Sequence, residues 1–168
     1  AAVTLGRLDD LTTKSRELVD RQARRVVLVQ EVNRHAQAAA IGLLKLLQTP
    51  RRDDRVPLYA AMDADLAASD KAVRELGDGL LVVGEQSAMA RVADIRQRYG
   101  ELFQATVETL EIEGQAPARA HFEARTGKLL NTLLFEIDEL EAGIQTRMQG
   151  ELEAMRASAI GARRIVVL

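Results

Sequence analysis

The stretch QTPRRDDRVP, residues 48–57, decides how this chain folds, because it interrupts an otherwise continuous helical pattern. It follows a run from Leu5 to Leu47 that contains no proline and only two glycines, Gly6 and Gly42. A proline inside a helix removes a backbone hydrogen bond and clashes with the preceding turn. The two prolines of this stretch therefore predict that a long first helix ends here and that the chain reverses its direction.

Glycines and prolines divide the rest of the chain into three further helical runs. The second run is predicted for residues 57–76 and ends at LGDG, and the LLVVG that follows is either an extension of it or an irregular connection. The third run starts near residue 85 and stops at Gly114, and Pro117 fits the first turn of a fourth run that extends to about residue 159. Short connections of this kind favour antiparallel neighbours.

The composition is typical of long helices. Alanine, leucine, glutamine and charged residues dominate the 168 residues, proline occurs three times, and aromatic residues make up 3%. We therefore predict an all-α protein with a single domain, residues 1–168. We expect an antiparallel up-down-up-down four-helix bundle with long first and last helices and two shorter middle helices. The excess length of the first and last helices predicts a two-helix stalk at one end.

Charge and residue content argue against several classes of function. The formal net charge is -2, with 29% charged residues of both signs, so no basic block follows a phosphate backbone and we expect no nucleic-acid partner. The chain has no cysteine, and its two histidines, His35 and His121, fall on different predicted helices. The sequence contains no glycine-rich phosphate loop and no nucleophile elbow. We expect no metal, no cofactor and no enzymatic activity.

The last stretch of the sequence, ARRIVVL at residues 162–168, is apolar after its two arginines. This order is typical of the entry into a transmembrane helix, with Arg163 and Arg164 at the level of the lipid headgroups. On this interpretation the bundle lies between two transmembrane helices. The alternative is an apolar strand or helix end that packs within a larger protein.

Several stretches together resemble a known family of sensor domains. The long-short-short-long order of helices, the corner TPRRDDR, DIRQRYGELF in the third helix and GQAPARAHFE at the start of the fourth resemble the extracytoplasmic sensor domain of bacterial methyl-accepting chemotaxis receptors. The resemblance covers nearly the whole chain. It implies the periplasmic, ligand-binding and dimeric part of an inner-membrane receptor, in which the last helix slides by ~1–2 Å. A sensor that feeds a histidine kinase or a nucleotide cyclase is an alternative.

Polar residues interrupt the apolar stripes of the predicted helices at one level of the bundle. Ser69 and Thr126 stand in otherwise apolar stripes, the stripe of the third helix takes in Arg96, and Arg91 and Arg98 share its flank. Small alanines at the same level favour a pocket between the helices. The predicted ligand-binding residues are Arg91, Arg98, Ser69, Thr126, Thr132, Asn33 and Tyr99. In the alternative, the hydroxyls bond backbone carbonyls one turn back and the arginines extend into solvent.

The arginines and the apolar faces of the predicted helices also predict the class of ligand and the partner. Two arginines two turns apart favour an anion with two or three carboxylates, such as malate, succinate or citrate, because guanidinium groups bind carboxylates bidentately. Amino acids are the second choice, since the predicted layer has no carboxylate for their ammonium group. The first helix is apolar on two faces, which favours a homodimer formed through it. A membrane-tethered structural bundle or adaptor without a small-molecule ligand is the alternative from a different class.

Overall fold

The computed structural model describes the backbone of residues 2–79 and 83–166, and the side chains of residues 13–79, 83–158 and 160. Within these residues the chain is helical and contains no strand, which confirms the prediction of an all-α protein. The elements are α1 (Ala2–Gln48), α2 (Arg52–Gly77), α3 (Val83–Ile112), α4 (Gln115–His121), a π-helical turn (Phe122–Thr126) and α5 (Gly127–Val166). Because α4, the π-helical turn and α5 follow one another without a break, the helices form four runs.

The four runs differ in length in the order that the sequence predicts. The first helix, α1, has 47 residues and α5 has 40, against 26 for α2 and 30 for α3. At 1.5 Å per residue, α1 is about 70 Å long and α5 about 60 Å, whereas α2 and α3 are about 39 and 45 Å long.

The turn between α1 and α2 is shorter than predicted, because Pro57 lies inside α2. The prediction that the second helix starts at this proline is wrong: it begins at Arg52. The carbonyl that Pro57 leaves without a helical donor belongs to Asp53, in the exposed first turn of the helix. Since water reaches this carbonyl, the helix accommodates the proline near its start.

Arg55 holds the corner between α1 and α2. Its Nη1 donates to the carbonyl of Thr49 at 3.0 Å and to that of Pro50 at 2.8 Å, and its Nε donates to Oε1 of Glu111 on α3 at 2.9 Å. The same carboxylate oxygen accepts a hydrogen bond from the hydroxyl of Tyr59. Arg55 thus donates hydrogen bonds to carbonyls just past the end of α1, which have no helical donor. Its contact with Glu111 links α3 to the same corner.

The junction between the third and fourth runs is confirmed at Gly114, and it is followed by an unpredicted irregularity. Gly114 has a φ of 97°, a conformation that glycine adopts without steric cost. Pro117 lies in the first turn of α4, as predicted. The sequence argument expected one regular helix from there onward, whereas the structure has a π-helical turn at Phe122–Thr126.

The predicted stripes of α2, α3 and α5 face the inside of the protein. On α1, the alanines at the level of the predicted pocket, Ala36, Ala39 and Ala40, are buried as part of the core. The stripe that helical spacing predicts for the second helix consists of Tyr59, Met62, Leu66, Ser69, Val73, Leu76 and Leu80, and of these Leu80 lies outside the described residues. The buried members of the stripes are Met62, Ser69 and Leu76 on α2, Met89, Val92, Arg96, Tyr99 and Phe103 on α3, and Thr126, Leu133, Ile137, Leu140 and Ile144 on the last run.

Side-chain contacts define which helices are neighbours. Between α1 and the last run, residue numbers rise along one partner and fall along the other. The contacting pairs are Ser15 and Met155, Gln22 and Glu151, Gln30 and Glu141, Asn33 and Asp138, and Leu47 and Gln115. Helix α2 packs mainly against α1, and α3 mainly against α5, whereas α2 and α3 approach each other at few places.

Both long helices continue past the ends of the shorter ones. An ion pair of 2.7 Å between Arg24 and Glu75 places the end of α2 beside Arg24 of α1. A second ion pair, of 3.0 Å between Arg147 and Glu85, places the start of α3 beside Arg147 of α5. We call the parts of α1 before Arg24 and of α5 after Arg147 the two-helix extension. Within it, side chains of α1 and α5 line a small apolar cavity of about 60 Å³.

No helix in the described part of the chain combines the length and the apolarity that a membrane span requires. The prediction of a membrane entry rests on ARRIVVL, and the side chains of these residues, 162–168, lie outside the described residues.

Candidate functional site in the seam between α2 and α3

Helices α2 and α3 face each other across a seam that a long side chain bridges. We define the α2–α3 seam by Leu66, Ser69 and Asp70 of α2 and by Arg96 and Tyr99 of α3. The guanidinium group of Arg96 makes the contact at this level. Its Nη2 lies 3.1 Å from Oδ1 of Asp70 and donates to the carbonyl of Leu66 at 3.4 Å. Arg96 therefore reaches across to the turn of α2 that also contains Ser69.

Three buried polar atoms of the seam have no hydrogen-bond partner: Oγ of Ser69, Nε of Arg96 and the hydroxyl oxygen of Tyr99. Ser69 and Tyr99 are each 1% exposed, and the side chain of Arg96 is 10% exposed. More than about nine in ten buried polar groups in proteins are paired, and an exception calls for a cause such as a bound molecule. Ser69 lies in the turn of α2 that Arg96 contacts, and Tyr99 lies one turn after Arg96 on α3, so the three unpartnered atoms make the seam the candidate site.

The polar atoms of the seam are well suited to donate hydrogen bonds. Burial raises the pKa of Tyr99 to about 12, and the positive charge of Arg96 opposes this rise only in part. The phenol therefore keeps its proton at neutral pH. A guanidinium group carries N–H donors and no acceptor, and a serine hydroxyl also donates. The seam thus fits a ligand whose contacting atoms are acceptors.

The seam has room for the guanidinium group because residue 100 is glycine. A Cβ placed on Gly100 would lie 3.2 Å from Nη1 of Arg96, so any larger residue would press on it. Glycine in the interior of a helix is less stable than alanine by about 0.5–1 kcal/mol. The sequence signal for this arrangement is therefore a glycine within a long helix, one turn after an arginine in the apolar stripe.

The two arginines that the sequence favoured for ligand binding lie on the outside of the protein. Nε of Arg91 donates to Oε2 of Glu136 on α5 at 2.9 Å, and 53% of the Arg91 side chain is exposed. Nη1 of Arg98 lies 3.7 Å from Asp94 on the same helix, with 61% of its side chain exposed. The structure does not bring these two cations to the seam.

Two further predicted residues also have partners near the surface. The amide of Asn33, on α1, donates to Oδ1 of Asp138 at 3.1 Å and accepts a hydrogen bond from Gln37 at 2.7 Å. The exposed Thr132 donates to the carbonyl of Lys128 one turn back, at 3.2 Å. This is the alternative that the sequence argument gave for a helical threonine.

Thr126 belongs to a different buried cluster, at the π-helical turn. Its Oγ1 lies 2.8 Å from Oγ1 of Thr106 on α3, which lies 2.8 Å from Nδ1 of His121 and donates to the carbonyl of Leu102 at 2.9 Å. Both threonines are fully buried, at 0% exposure. Of the seven predicted residues, the structure therefore places Ser69 and Tyr99 in the seam, and ligand binding by the set stays a prediction.

The seam also contains a carboxylate, which the sequence argument did not expect. Asp70 follows Ser69 and lies outside the predicted stripe, and it pairs with Arg96 while 45% of its side chain remains exposed. The argument that this layer has no carboxylate is therefore wrong. Periodicity placed Arg96 in the stripe, but its partner on another helix left no signal in the local sequence.

A second polar network lies where the two-helix extension begins. Arg147 donates through Nε to Glu151 at 2.9 Å and through Nη1 to Glu85 at 3.0 Å, and Gln22 donates to the other oxygen of Glu151. Burial lowers the pKa of the neighbouring Arg25 from its ordinary value, and so does the positive charge of Arg147. These side chains link α1, α3 and α5 through pairs of opposite charge. Each hydrogen bond of the network has both its donor and its acceptor within the protein.

Other features of the described residues fit a ligand less well. No group of three or more His, Cys, Asp or Glu side chains within the described part is arranged to hold a metal ion. A depression of about 390 Å³ is lined by α4 and the π-helical turn alone, at Gln115, Ala116, Arg119, Ala120 and Glu123. Because one helical run forms all of its lining, this depression would contact a ligand from one side only.

Comparison with known proteins gives no family for this chain. No protein-family model, no curated protein and no solved structure matches it.

Proposed function

We propose that this chain is the ligand-binding sensor domain of a bacterial membrane receptor of the methyl-accepting chemotaxis type. It would fold as an antiparallel up-down-up-down four-helix bundle, lie in the periplasm and sense a small organic acid. The observation that carries this proposal is the two-helix extension, in which α1 and α5 stay in contact past the ends of α2 and α3. Such a pair connects a binding body to a distant output through two continuous helices.

The geometry of the extension supports signal transmission by a sliding helix. Helix α5 has no proline, and its contact with α1 in the extension combines the apolar side chains of Leu18, Val19 and Met155 with side-chain hydrogen bonds from Gln22 to Glu151 and from Ser15 to Met155. Apolar contacts of this kind tolerate a slide of ~1–2 Å better than a set of directional hydrogen bonds does. A ligand shifts such a slide only if it binds one position of the helix more tightly than the other.

Exposed apolar residues on α1 support the proposal of a homodimer. Val27, Ile41 and Leu44 are 44%, 53% and 43% exposed, and they continue along one side of the helix. Light scattering at rising protein concentration tests this interface, with Ile41→Lys as the variant and Val56→Lys, an exposed residue of α2, as the control. We expect Ile41→Lys alone to weaken association. Equal association of both variants would contradict an interface on α1.

Thermal unfolding in the presence of organic acids tests the sensor proposal itself. A ligand at 100 times its dissociation constant stabilises the folded protein by ~2.7 kcal/mol. We expect at least one acid among lactate, malate, succinate and citrate to raise the unfolding temperature by several degrees. A structural bundle or adaptor would show no shift with any of them, nor with amino acids and sugars, and that result would reject the proposed function.

The absence of cysteine from the sequence allows a direct test of the slide. A cysteine pair at Ser15 and Met155, whose side chains are 3.0 Å apart, would report on movement between α1 and α5. A control pair at Gly42 and Met62, whose Cβ atoms would lie 3.9 Å apart, would report on α1 and α2. We expect the acid that shifts unfolding most to change the disulfide formation rate of the first pair and not of the second. Unchanged rates in both pairs would exclude the sliding mechanism.

A further inference from the structure

We propose that the α2–α3 seam binds one carboxylate group of a small acid, held by Arg96 together with Ser69 and Tyr99. This inference rests on the proposed sensor function and names the site at which the ligand is recognised. It differs from the sequence prediction, which assigned the carboxylates to Arg91 and Arg98.

The first argument is that the donors are already buried and unused. Nε of Arg96 and the hydroxyls of Ser69 and Tyr99 make no hydrogen bond within the protein. A carboxylate that enters the seam therefore gains hydrogen bonds without breaking protein contacts of the same atoms. Hydrogen bonds between an ionised donor and a carboxylate are about twice as strong as neutral ones, and stronger still out of water.

The second argument concerns the charge of Asp70, whose Oδ1 lies 3.1 Å from Nη2 of Arg96. One guanidinium group does not balance the charges of two carboxylates, so the ligand and Asp70 compete for Arg96. Because 45% of its side chain is exposed, Asp70 can turn into solvent when the ligand enters. Asp70 thus acts as an internal substitute for the ligand and lowers the affinity of the site.

The third argument is the position of the seam in the fold. Helices α2 and α3 approach each other at few places, and besides Arg96 they are linked by Glu111 at the opposite corner, where it binds Arg55. A small outward movement of α2 at this level therefore admits a molecule without disrupting the tightly packed pairs of α1 with α2 and α3 with α5. Since a single cation is buried here, one carboxylate is sufficient for binding, and lactate is a suitable probe beside succinate.

Isothermal titration calorimetry with lactate, malate, succinate and citrate tests the site. We expect Arg96→Met to weaken binding at least about 100-fold, and Ser69→Ala or Tyr99→Phe to weaken it about tenfold, since each removes hydrogen bonds to a charged group. We expect Asp70→Asn to bind more tightly than the wild-type protein, because it removes the competing charge. A merely structural role for Asp70 gives no such gain.

Unfolding of the ligand-free variants separates binding from stability. Ser69→Ala and Tyr99→Phe should leave the unfolding temperature unchanged or raise it, because their hydroxyls have no partner to lose. Arg91→Met and Arg98→Met, on the same helix, are matched controls that should bind lactate and succinate as the wild-type protein does.

Each contrary result has a defined meaning. If Arg96→Met binds as well as the wild-type protein while Arg91→Met or Arg98→Met does not, the seam is not the site and the sensor function stands. If Asp70→Asn weakens binding, Asp70 contacts the ligand directly and the competition proposed here is wrong. If the wild-type protein binds none of the acids but shifts its unfolding temperature with another metabolite, the carboxylate site is rejected and the sensor survives; no shift with any compound rejects both.

Discussion

Arg147 of α5 donates a hydrogen bond of 3.0 Å to Glu85 of α3, a carboxylate that is only 7% exposed. Arg147 also donates to Glu151, which accepts a hydrogen bond from Gln22 of α1. One arginine therefore connects the first turn of α3 to both long helices at the level where the two-helix extension begins. Because Glu85 and Gln22 are buried and Arg147 and Glu151 are half-buried, the charges of this network depend on one another.

Glu85→Gln is expected to lower the free energy of unfolding by about 1–3 kcal/mol, because it removes one of the two carboxylates paired with Arg147 and a negative charge close to the buried Arg25. Urea denaturation measures this change. The control is Glu139→Gln, on the exposed face of α5, which should alter stability by less than about 0.5 kcal/mol. Equal effects of the two substitutions would show that the network does not stabilise the fold.

Gly42→Ala is expected to destabilise the protein by about 1–3 kcal/mol, as overpacking does. A Cβ on Gly42 would lie 2.9 Å from Sδ of Met62 and nearer still to its Cγ, and Met62 is only 2% exposed, so α1 and α2 would have to move apart. Gly143→Ala, on α5, meets nothing within 4 Å and should raise stability by up to about 1 kcal/mol through helix propensity. Thermal denaturation of the two variants should therefore give shifts of opposite sign.

Thr106→Val is expected to cost about 1–2 kcal/mol, because Thr106 contacts a backbone carbonyl, His121 and Thr126 at full burial. The same substitution at Thr109, whose hydroxyl contacts only the carbonyl of Ala105 one turn back, should cost less. A double-mutant cycle of Thr106→Val with Thr126→Val should show non-additive effects, since the two hydroxyls are 2.8 Å apart. Additive effects would mean that the two hydroxyls contribute independently.

Glu111 is expected to make the corner between α1 and α2 sensitive to acid. The hydrogen bond from Tyr59, with the charges of Arg55 and Arg52, lowers the pKa of Glu111 below its ordinary value of 4.5. Its stabilisation of the folded state is therefore complete above this value and is lost as the pH falls through the lower, folded-state pKa. Unfolding measured between pH 7 and pH 3 should lose less stability in Glu111→Gln than in the wild-type protein. The exposed Glu108→Gln should retain the wild-type pH dependence.

The candidate site shows which features helical periodicity predicts and which it does not. The apolar stripes correctly placed Ser69, Arg96 and Tyr99 on inward faces, because helical spacing alone determines which residues share a face. They did not show that Arg91 and Arg98 extend outward, since a residue on the flank of a stripe faces either the core or solvent. The pairing of Arg91 with Glu136 across two helices decides that question, and it depends on a distance between helices.

The sequence by itself determined that this chain is helical, where Gly114 ends α3, and which stripe of each helix faces inward. These features depend on backbone preferences and on spacing along one helix, which are local properties. The tertiary structure alone decided that Pro57 lies inside α2, that Thr126 sits in a π-helical turn with Thr106, and that Asp70 neutralises Arg96 in a seam with unused donors. Each of these depends on side chains from distant parts of the chain that meet only after the helices have packed.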